Sequence, residues 1–356
     1  MNTRRRGALD GARQGRRERP YQADMGATED AASHRPARPG DMAARSEPGS
    51  KAAVTLGTRA SALARVQTDA VIDLLTAAWP DLECETRVIA TAGDRTQATG
   101  EPLPEIGGKG LFTEELERAL REGEIDLAVH SLKDLPTEDA DGVVVGAVTR
   151  REDVRDCLVA RERQSLGHLA KGAVVGTSSL RRAAQLRALR PDLEIRSIRG
   201  NVDTRIGKVA AGEYDGALLA AAGILRLGLE HEVTEWLSPE TMLPAPGQGA
   251  LAIQCRADDD ELLARLGELD DPVARAETTA ERAFLRTLGA GCAAPVAALA
   301  TATTTPRVRL QGLVASVDGG QMVRVQGEGE PRELGERLAQ DALAAGADRI
   351  LAAIRD

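Results

Sequence analysis

The sequence predicts an α/β fold: two α/β lobes followed by a small α+β C-terminal domain. Three observations lead there. Short apolar runs alternate with segments of helical spacing up to about residue 270, the pattern of repeated strand-turn-helix units. At 356 residues the chain is too long for one ordinary core, so two or three domains are expected. From about Pro272 the order changes to consecutive strand-like runs closed by helices, which suits an α+β unit.

Composition narrows the function classes. Aromatic residues are 2% of the chain, so cores must rest on Leu, Val, Ile and Ala, and stacking platforms for single-stranded nucleic acid are disfavoured. Net charge is −9, with 46 Lys and Arg against 55 Asp and Glu, which speaks against general nucleic-acid binding. No apolar run approaches the ~20 residues of a membrane span. Cys84, Cys157, Cys255 and Cys292 are far apart without a CxxC, arguing against a zinc site or disulfide framework and for a reducing, cytoplasmic setting.

Residues 1–50 are rich in Arg, Gly, Ala and Pro, lack hydrophobic periodicity, and read as a disordered tail. They have no apolar segment of a secretory signal, and Glu18, Asp24, Glu29 and Asp30 argue against a transit peptide. A start codon placed too early, with Met25 or Met42 as the later start, is the plain alternative.

Ala53–Leu56 reads as the first strand, and Ala62–Ala77 as a helix that Ser61 caps. Backbone N–H groups, a hydroxyl and Arg59 meet at this helix start, an anion site by construction, although Arg59 taken alone reads rather as a surface charge. Glu83–Ala90 is a second strand. Thr91–Gly110 is a long polar segment ending in Gly-Gly-Lys109-Gly; it lacks the spacing of a nucleotide-binding phosphate loop, and reads as a mobile loop carrying one cation. Thr113 is the expected cap of the next helix.

Asp126–Pro136 is the stretch on which the rest is centred. Leu127, Ala128 and Val129 suit a strand buried on both faces, and His130, Ser131, Lys133 and Asp134 arrive at its carboxyl end, where open α/β sheets bind ligands. Gly142–Val148 is another strand, and the charged segment Thr149–Arg155 marks a crossing between domains. Ala173–Gly176 is a strand, after which Ser178, Ser179, Arg181 and Arg182 open a helix to about Leu189. Adjacent arginines conflict with the positive end of a helix dipole, and a bound anion would resolve the conflict. Glu194–Ile198 and Gly216–Ala221 are strands, Asp203–Ala211 is a helix, and Arg199, Arg205 and Arg226 sit at or past strand ends. Ala250–Gln254 is a strand that returns to the first lobe. In the last part, Val273–Leu288 is a helix and Val296–Ala300, Val308–Ala315 and Met322–Gln326 are strands. Helices from about Arg332 and near Asp348–Ile354 follow. Cys292 lies in a turn of small residues; as a lone cysteine it reads as buried and inert.

Together these segments resemble the hydroxymethylbilane synthase, or porphobilinogen deaminase, family. The resemblance rests on Gly-Thr-Arg59-Ala-Ser61, Gly-Gly-Lys109-Gly-Leu-Phe, His-Ser131-Leu-Lys133-Asp134-Leu-Pro, Gly-Thr-Ser178-Ser179-Leu-Arg181-Arg182, Arg199-Gly200-Asn-Val, Pro-Gly-Gln248-Gly and Gly-Cys292, in the family's order over about residues 52–356. Two departures touch local packing: Gly-Ala-Gly-Cys-Ala-Ala-Pro at the cysteine, and Ala60 where a polar residue is common.

The resemblance implies two periplasmic-binding-protein-like lobes (51–150 plus about 249–268, and 151–248) and a cofactor-attachment domain over 269–356. It implies head-to-tail condensation of four porphobilinogen units, releasing ammonia and hydroxymethylbilane, on a dipyrromethane primer bound covalently to Cys292. Asp134 would be catalytic, steadying the azafulvene cation through the pyrrole N–H and taking part in deprotonation after coupling. Lys133, Asp134, Ser131, Ser179, Arg181, Arg182, Arg205 and Gly200 would hold the primer. Arg59, Ser61, Gln67, Arg199, Arg226 and Lys109 would hold substrate, with the loop before Lys109 as a lid. Partners would be porphobilinogen and the growing oligopyrrole, with no nucleic acid or membrane, in a cytoplasmic monomer. The competing reading is a two-lobed carboxylate- or oxyanion-binding protein without catalysis.

Overall fold

The computed structural model describes residues 53–91, 113–291, 294–304 and 306–355. The tail 1–50, most of the Thr91–Gly110 loop with Lys109, and Cys292 lie outside the described residues. The chain divides into two units, Met1–Ser46 and Glu47–Asp356, and everything below concerns the second.

The first sheet opens with β1 (Ala53–Thr58), α1 (Ala62–Ala78) and β2 (Glu83–Val88). Then come α2 (Glu114–Arg121), β3 (Leu127–Ser131), a 3-10 turn (Leu132–Asp134) and β4 (Val143–Val148). Strand β3 is buried on both faces, from Leu127 to His130, as its unbroken apolar run dictates. The chain then crosses to a second sheet. This holds β5 (Asp156–Ala160), β6 (Val174–Gly176), α3 (Leu180–Leu189), β7 (Glu194–Arg196) and α4 (Val202–Ala210). It ends with β8 (Gly216–Ala220), α5 (Ala221–Arg226) and β9 (Glu235–Leu237). The return strand β10 (Leu251–Arg256) and α6 (Asp260–Leu269) belong to the first sheet.

The two sheets repeat one plan. Their orders are β2-β1-β3-β10-β4 and β7-β6-β8-β5-β9. In each, three parallel strands are followed by an antiparallel strand that has just crossed from the other sheet. The fold class is therefore as the sequence predicts: two α/β lobes joined by a double crossover, then an α+β part. That last part comprises α7 (Pro272–Thr287), β11 (Val296–Thr304), β12 (Arg307–Ala315), β13 (Met322–Gly329), α8 (Pro331–Ala342) and α9 (Asp348–Arg355). Its three strands form an antiparallel sheet packed on α7 and α8 around Phe284, which is fully buried. Gly312 faces that ring so closely that a Cβ there would lie 2.5 Å from Phe284 Cζ. In a core with so few aromatics, the glycine makes room for the one large side chain at its centre.

Three elements escape the sequence reading: β5, β9 and α6. The Thr113 hydroxyl also makes no cap bond, although the residue stands at the start of α2.

The two crossing segments run against each other. Glu152 N donates to Gly249 O at 3.1 Å, and Gly249, at φ +92°, passes so near that a Cβ would meet Glu152 O at 2.4 Å. Only glycine suits that combination of left-handed backbone and close approach. The α+β part fastens this joint through Glu281 of α7, which is 0% exposed. Its carboxylate accepts from both terminal nitrogens of Arg151 and from the backbone N–H groups of Gly247 and Ala300. One buried carboxylate thus touches both crossings and β11.

Candidate active site

The turn after β3 sorts its residues by burial. Leu132 and Leu135 are 1% and 2% exposed and anchor it. Between them Lys133 is half-buried and Asp134 exposed. Leu135 N closes the 3-10 turn on Leu132 O at 3.2 Å, and Leu132 N is held by Ala250 O of the returning segment. Two apolar anchors flanking two charged residues put an ammonium and a carboxylate on the mouth of the first lobe.

The second lobe answers with α3. Ser179 caps it, its hydroxyl accepting from Arg182 N at 3.4 Å. Arg181 and Arg182 are 4% and 6% exposed. The anion that their position at a helix start demands is supplied by the chain itself. Asp156, at the start of β5, accepts from Arg181 Nη1 at 2.6 Å and from Arg182 Nη2 at 2.7 Å and Nε at 3.1 Å. One internal carboxylate is shared by two guanidinium groups, which leaves the cluster one positive charge in excess. Burial alone would push the Asp156 carboxyl up, but the two guanidinium groups and their hydrogen bonds hold it well below the usual carboxylate range. The remaining bonds of the pair go to Leu243 O and Leu218 O.

Gln248, 0% exposed, links the two lobes at this point. Its amide nitrogen donates to Asp156 Oδ1 at 2.9 Å and to Val154 O at 2.8 Å, and its amide oxygen accepts from Lys133 Nζ at 3.4 Å. Burial pulls Lys133 down to about 8, with Asp134 opposing and Arg182 assisting. Arg205 of α4 is pulled down by burial and by Arg182, while Asp134 supports its charge. Lys133, Asp134, Arg181, Arg182 and Arg205 therefore share one electrostatic neighbourhood, assembled from both lobes.

The other expected residues fall around it. Gln67 Nε2 donates to Ser131 Oγ at 2.9 Å, so α1 reaches the end of β3. Ser61 caps α1, its hydroxyl accepting from Ala64 N. Arg59, half-buried after β1, stands near His130, whose imidazole is pushed to about 4 by burial and then by Arg59. Gly200, at φ +113°, offers its carbonyl to Arg205 Nε at 2.8 Å. Arg199 is half-buried between β7 and α4, its carbonyl taken by Lys208. Arg226 Nη2 donates to Gly249 O at 2.7 Å, which braces the crossing. Lys109 and Cys292 lie outside the described residues.

Asp156 was missed because β5 was missed. The apolar run Cys157–Ala160 behind an acid was the available signal, hidden by the charged residues ahead of it. Gln248 was noticed as part of a motif without a task.

Residues 54–264 match the family description "porphobilinogen deaminase, dipyromethane cofactor binding domain", and residues 275–344 match the C-terminal domain of the same enzyme. The chain belongs to the porphobilinogen deaminase family. It is 50% identical over 302 residues to the porphobilinogen deaminase of Roseiflexus castenholzii, covering 84% of this chain and 98% of that one. With the Thermus thermophilus porphobilinogen deaminase it shares 48% over 305 residues, 85% and 99% of the two chains. Among solved structures, a periplasmic VFT2 domain of BvgS from Bordetella pertussis superposes with a TM-score of 0.37 at 17% identity, covering 61% of this chain and 86% of that one.

The residues present fit the dipyrromethane group of this family. Such a group carries several carboxylates and two pyrrole N–H donors. The site answers with the ammonium of Lys133, the guanidinium of Arg205 and the hydroxyls of Ser131 and Ser179, and with one exposed carboxylate, Asp134, to accept from N–H. The matched region 54–264 covers the two sheets of this chain, which is where these donors lie.

Proposed function

We infer that this chain is a hydroxymethylbilane synthase. It condenses four porphobilinogen units head to tail, releases ammonia, and yields hydroxymethylbilane for tetrapyrrole biosynthesis. The observation that carries the reading is an exposed carboxylate, Asp134, set among cations from both lobes in a chain of this family.

The dipyrromethane group, attached through Cys292, supplies the pyrrole carbon from which the chain is extended. Asp134 accepts the substrate's pyrrole N–H. Its negative charge stabilises the cation that develops as the carbon–nitrogen bond breaks and ammonia leaves. After the new carbon–carbon bond forms, the carboxylate takes part in removing the proton displaced from the pyrrole. Lys133, Ser131, Ser179, Arg181, Arg182, Arg205 and Gly200 hold the primer. Arg59, Ser61, Gln67, Arg199, Arg226 and Lys109 hold the incoming substrate and the growing oligopyrrole. The chain divides into a tail over 1–50, lobes over 51–150 plus about 249–268 and over 151–248, and an attachment domain over 269–356. It works as a cytoplasmic monomer; among the described residues no helix is long and apolar enough to cross a membrane.

Intact mass of the purified protein, before and after porphobilinogen, tests the reading. Wild type should carry an excess equal to two linked pyrroles, and Cys292→Ala should not. Asp134→Asn should keep the adduct and lose about 10²–10⁴-fold in turnover. Absence of any adduct on wild type after porphobilinogen would leave a non-catalytic two-lobed binder in its place.

A further inference from the structure

The 3-10 turn that carries Lys133 and Asp134 is short, and its one internal bond is Leu135 N to Leu132 O. Such turns hold their geometry poorly by themselves. Its carbonyls, like those at any helix end, need donors. They meet Arg282 of α7. Its Nη1 donates to Leu135 O at 3.2 Å and to Leu132 O at 3.5 Å, and its Nη2 donates to Pro136 O at 2.5 Å. One planar guanidinium thus spans the backbone from the first residue of the turn to the proline beyond it. Its neighbour in sequence, Glu281, is fixed by four bonds to the crossings and β11, so the helix presenting Arg282 is itself immobilised there.

We propose that Arg282 is a positioning residue for the reaction, holding the Lys133–Asp134 turn from the α+β part so that the Asp134 carboxylate keeps its place. It acts through three carbonyls of the turn backbone. A fork of fixed geometry suits this task better than a single ammonium, because it constrains the orientation of the turn as well as its position. The proposal rests on the reading of Asp134 as the catalytic carboxylate.

Arg275 provides a matched control. It lies on the same helix, pairs with Asp270, and donates to carbonyls of β4, Gly146 at 3.2 Å and Val145 at 3.4 Å. It grips backbone as Arg282 does, but away from the turn. Three variants, Arg282→Gln, Arg282→Lys and Arg275→Gln, are compared by thermal midpoint, by kcat and KM for porphobilinogen, and by hydrogen exchange of the peptide spanning 130–137. Arg282→Gln should lower kcat by about 10–100-fold while leaving KM near wild type, because displacements of about 1 Å suffice for such losses. Exchange in 130–137 should accelerate by a similar factor. Arg282→Lys should recover part of both, and it carries the test if the glutamine variant does not fold. Arg275→Gln should lose a comparable thermal midpoint yet keep wild-type kcat and turn exchange. Wild-type kcat in Arg282→Gln or Arg282→Lys, or an equal kcat loss in Arg275→Gln, overturns the proposal. A wild-type enzyme inactive on porphobilinogen would instead overturn the functional reading, while the exchange comparison would still report on the grip of Arg282.

Discussion

Replacing Asp156 by Asn changes one charge with almost no change of shape. Asp156 is fully buried, with two guanidinium groups, each under 10% exposed, and the Gln248 amide converging on its two oxygens. With Asn the geometry permits one oxygen acceptor, and the amide nitrogen must point a donor at Arg181, Arg182 or Gln248. Two buried cations lose their shared counter-charge, and Lys133 lies within the same field. Removing one partner of a buried ion pair costs about 3–5 kcal/mol, the greater part being the penalty on the charge left behind. Against a typical total of about 5–15 kcal/mol this is a large fraction. For a chain of this size it corresponds to a fall in Tm of about 6–10 °C, taking about 2 °C per kcal/mol.

Trp236 is a convenient reporter. It sits on β9 opposite Cys157, the residue after Asp156, and its ring lies 5.4 Å from Arg155. The assay is thermal unfolding followed by tryptophan fluorescence. Because Asp156 is depressed below its ordinary 3.8, its contribution is complete above that value and is lost only as pH falls through the lower folded value. The gap between wild type and Asp156→Asn should therefore be constant from about pH 5 to 7 and close only in strong acid. An unchanged midpoint at neutral pH would refute the reasoning. It would mean that the arginine pair tolerates burial without Asp156, and that its counter-charge comes from elsewhere.

Other substitutions probe the neighbouring groups. His130 is depressed from 6.5 to about 4, so its contribution is full above 6.5 and lost as pH falls through 4. His130→Gln should abolish about 3 kcal/mol of acid-dependent destabilisation across that window, seen as urea midpoints that no longer drop between pH 7 and 4; parallel slopes in both proteins would contradict this. Lys133, at about 8, must carry its charge to hold carboxylates, so kcat/KM should fall as pH rises through about 8, and Lys133→Arg should remove that limb. Glu281→Gln leaves Arg151 underbalanced and should cost about 3–5 kcal/mol in chemical unfolding; a loss under about 1 kcal/mol would show that the joint does not depend on that charge.

Much of the fold was legible because burial writes itself into the chain. The run Leu127–Val129 reads as a doubly covered strand, and it is one. Ser61 reads as a helix cap, and it accepts the expected backbone N–H. The strand at Ala250–Gln254 reads as one that returns to the first lobe, and β10 does so. What stayed hidden was pairing over distance. Asp156 lies 25 residues from Arg181, and nothing local links them. Two adjacent arginines at a helix start announce that a negative charge is needed, without saying whether a ligand or the chain provides it. Arg226 shows the same limit: nothing local to it in sequence announces that its Nη2 also braces the crossing at Gly249 O. Arg282 carried no signal at all, since its partners are backbone carbonyls about 150 residues away in sequence.

The joint built around Glu281 limits how this protein can be taken apart. A chain ended before Pro272 would still contain every strand of both lobes. It would also contain Arg151, whose side chain is 6% exposed and whose carboxylate partners Glu277 and Glu281 would be gone. The Gly247 N–H would lose its acceptor and the Lys133–Asp134 turn its three bonds to Arg282. Shuffling, truncation or separate expression of the parts would strand a cation in the middle of the hinge, so the C-terminal part must be inherited, folded and engineered together with the lobes it closes.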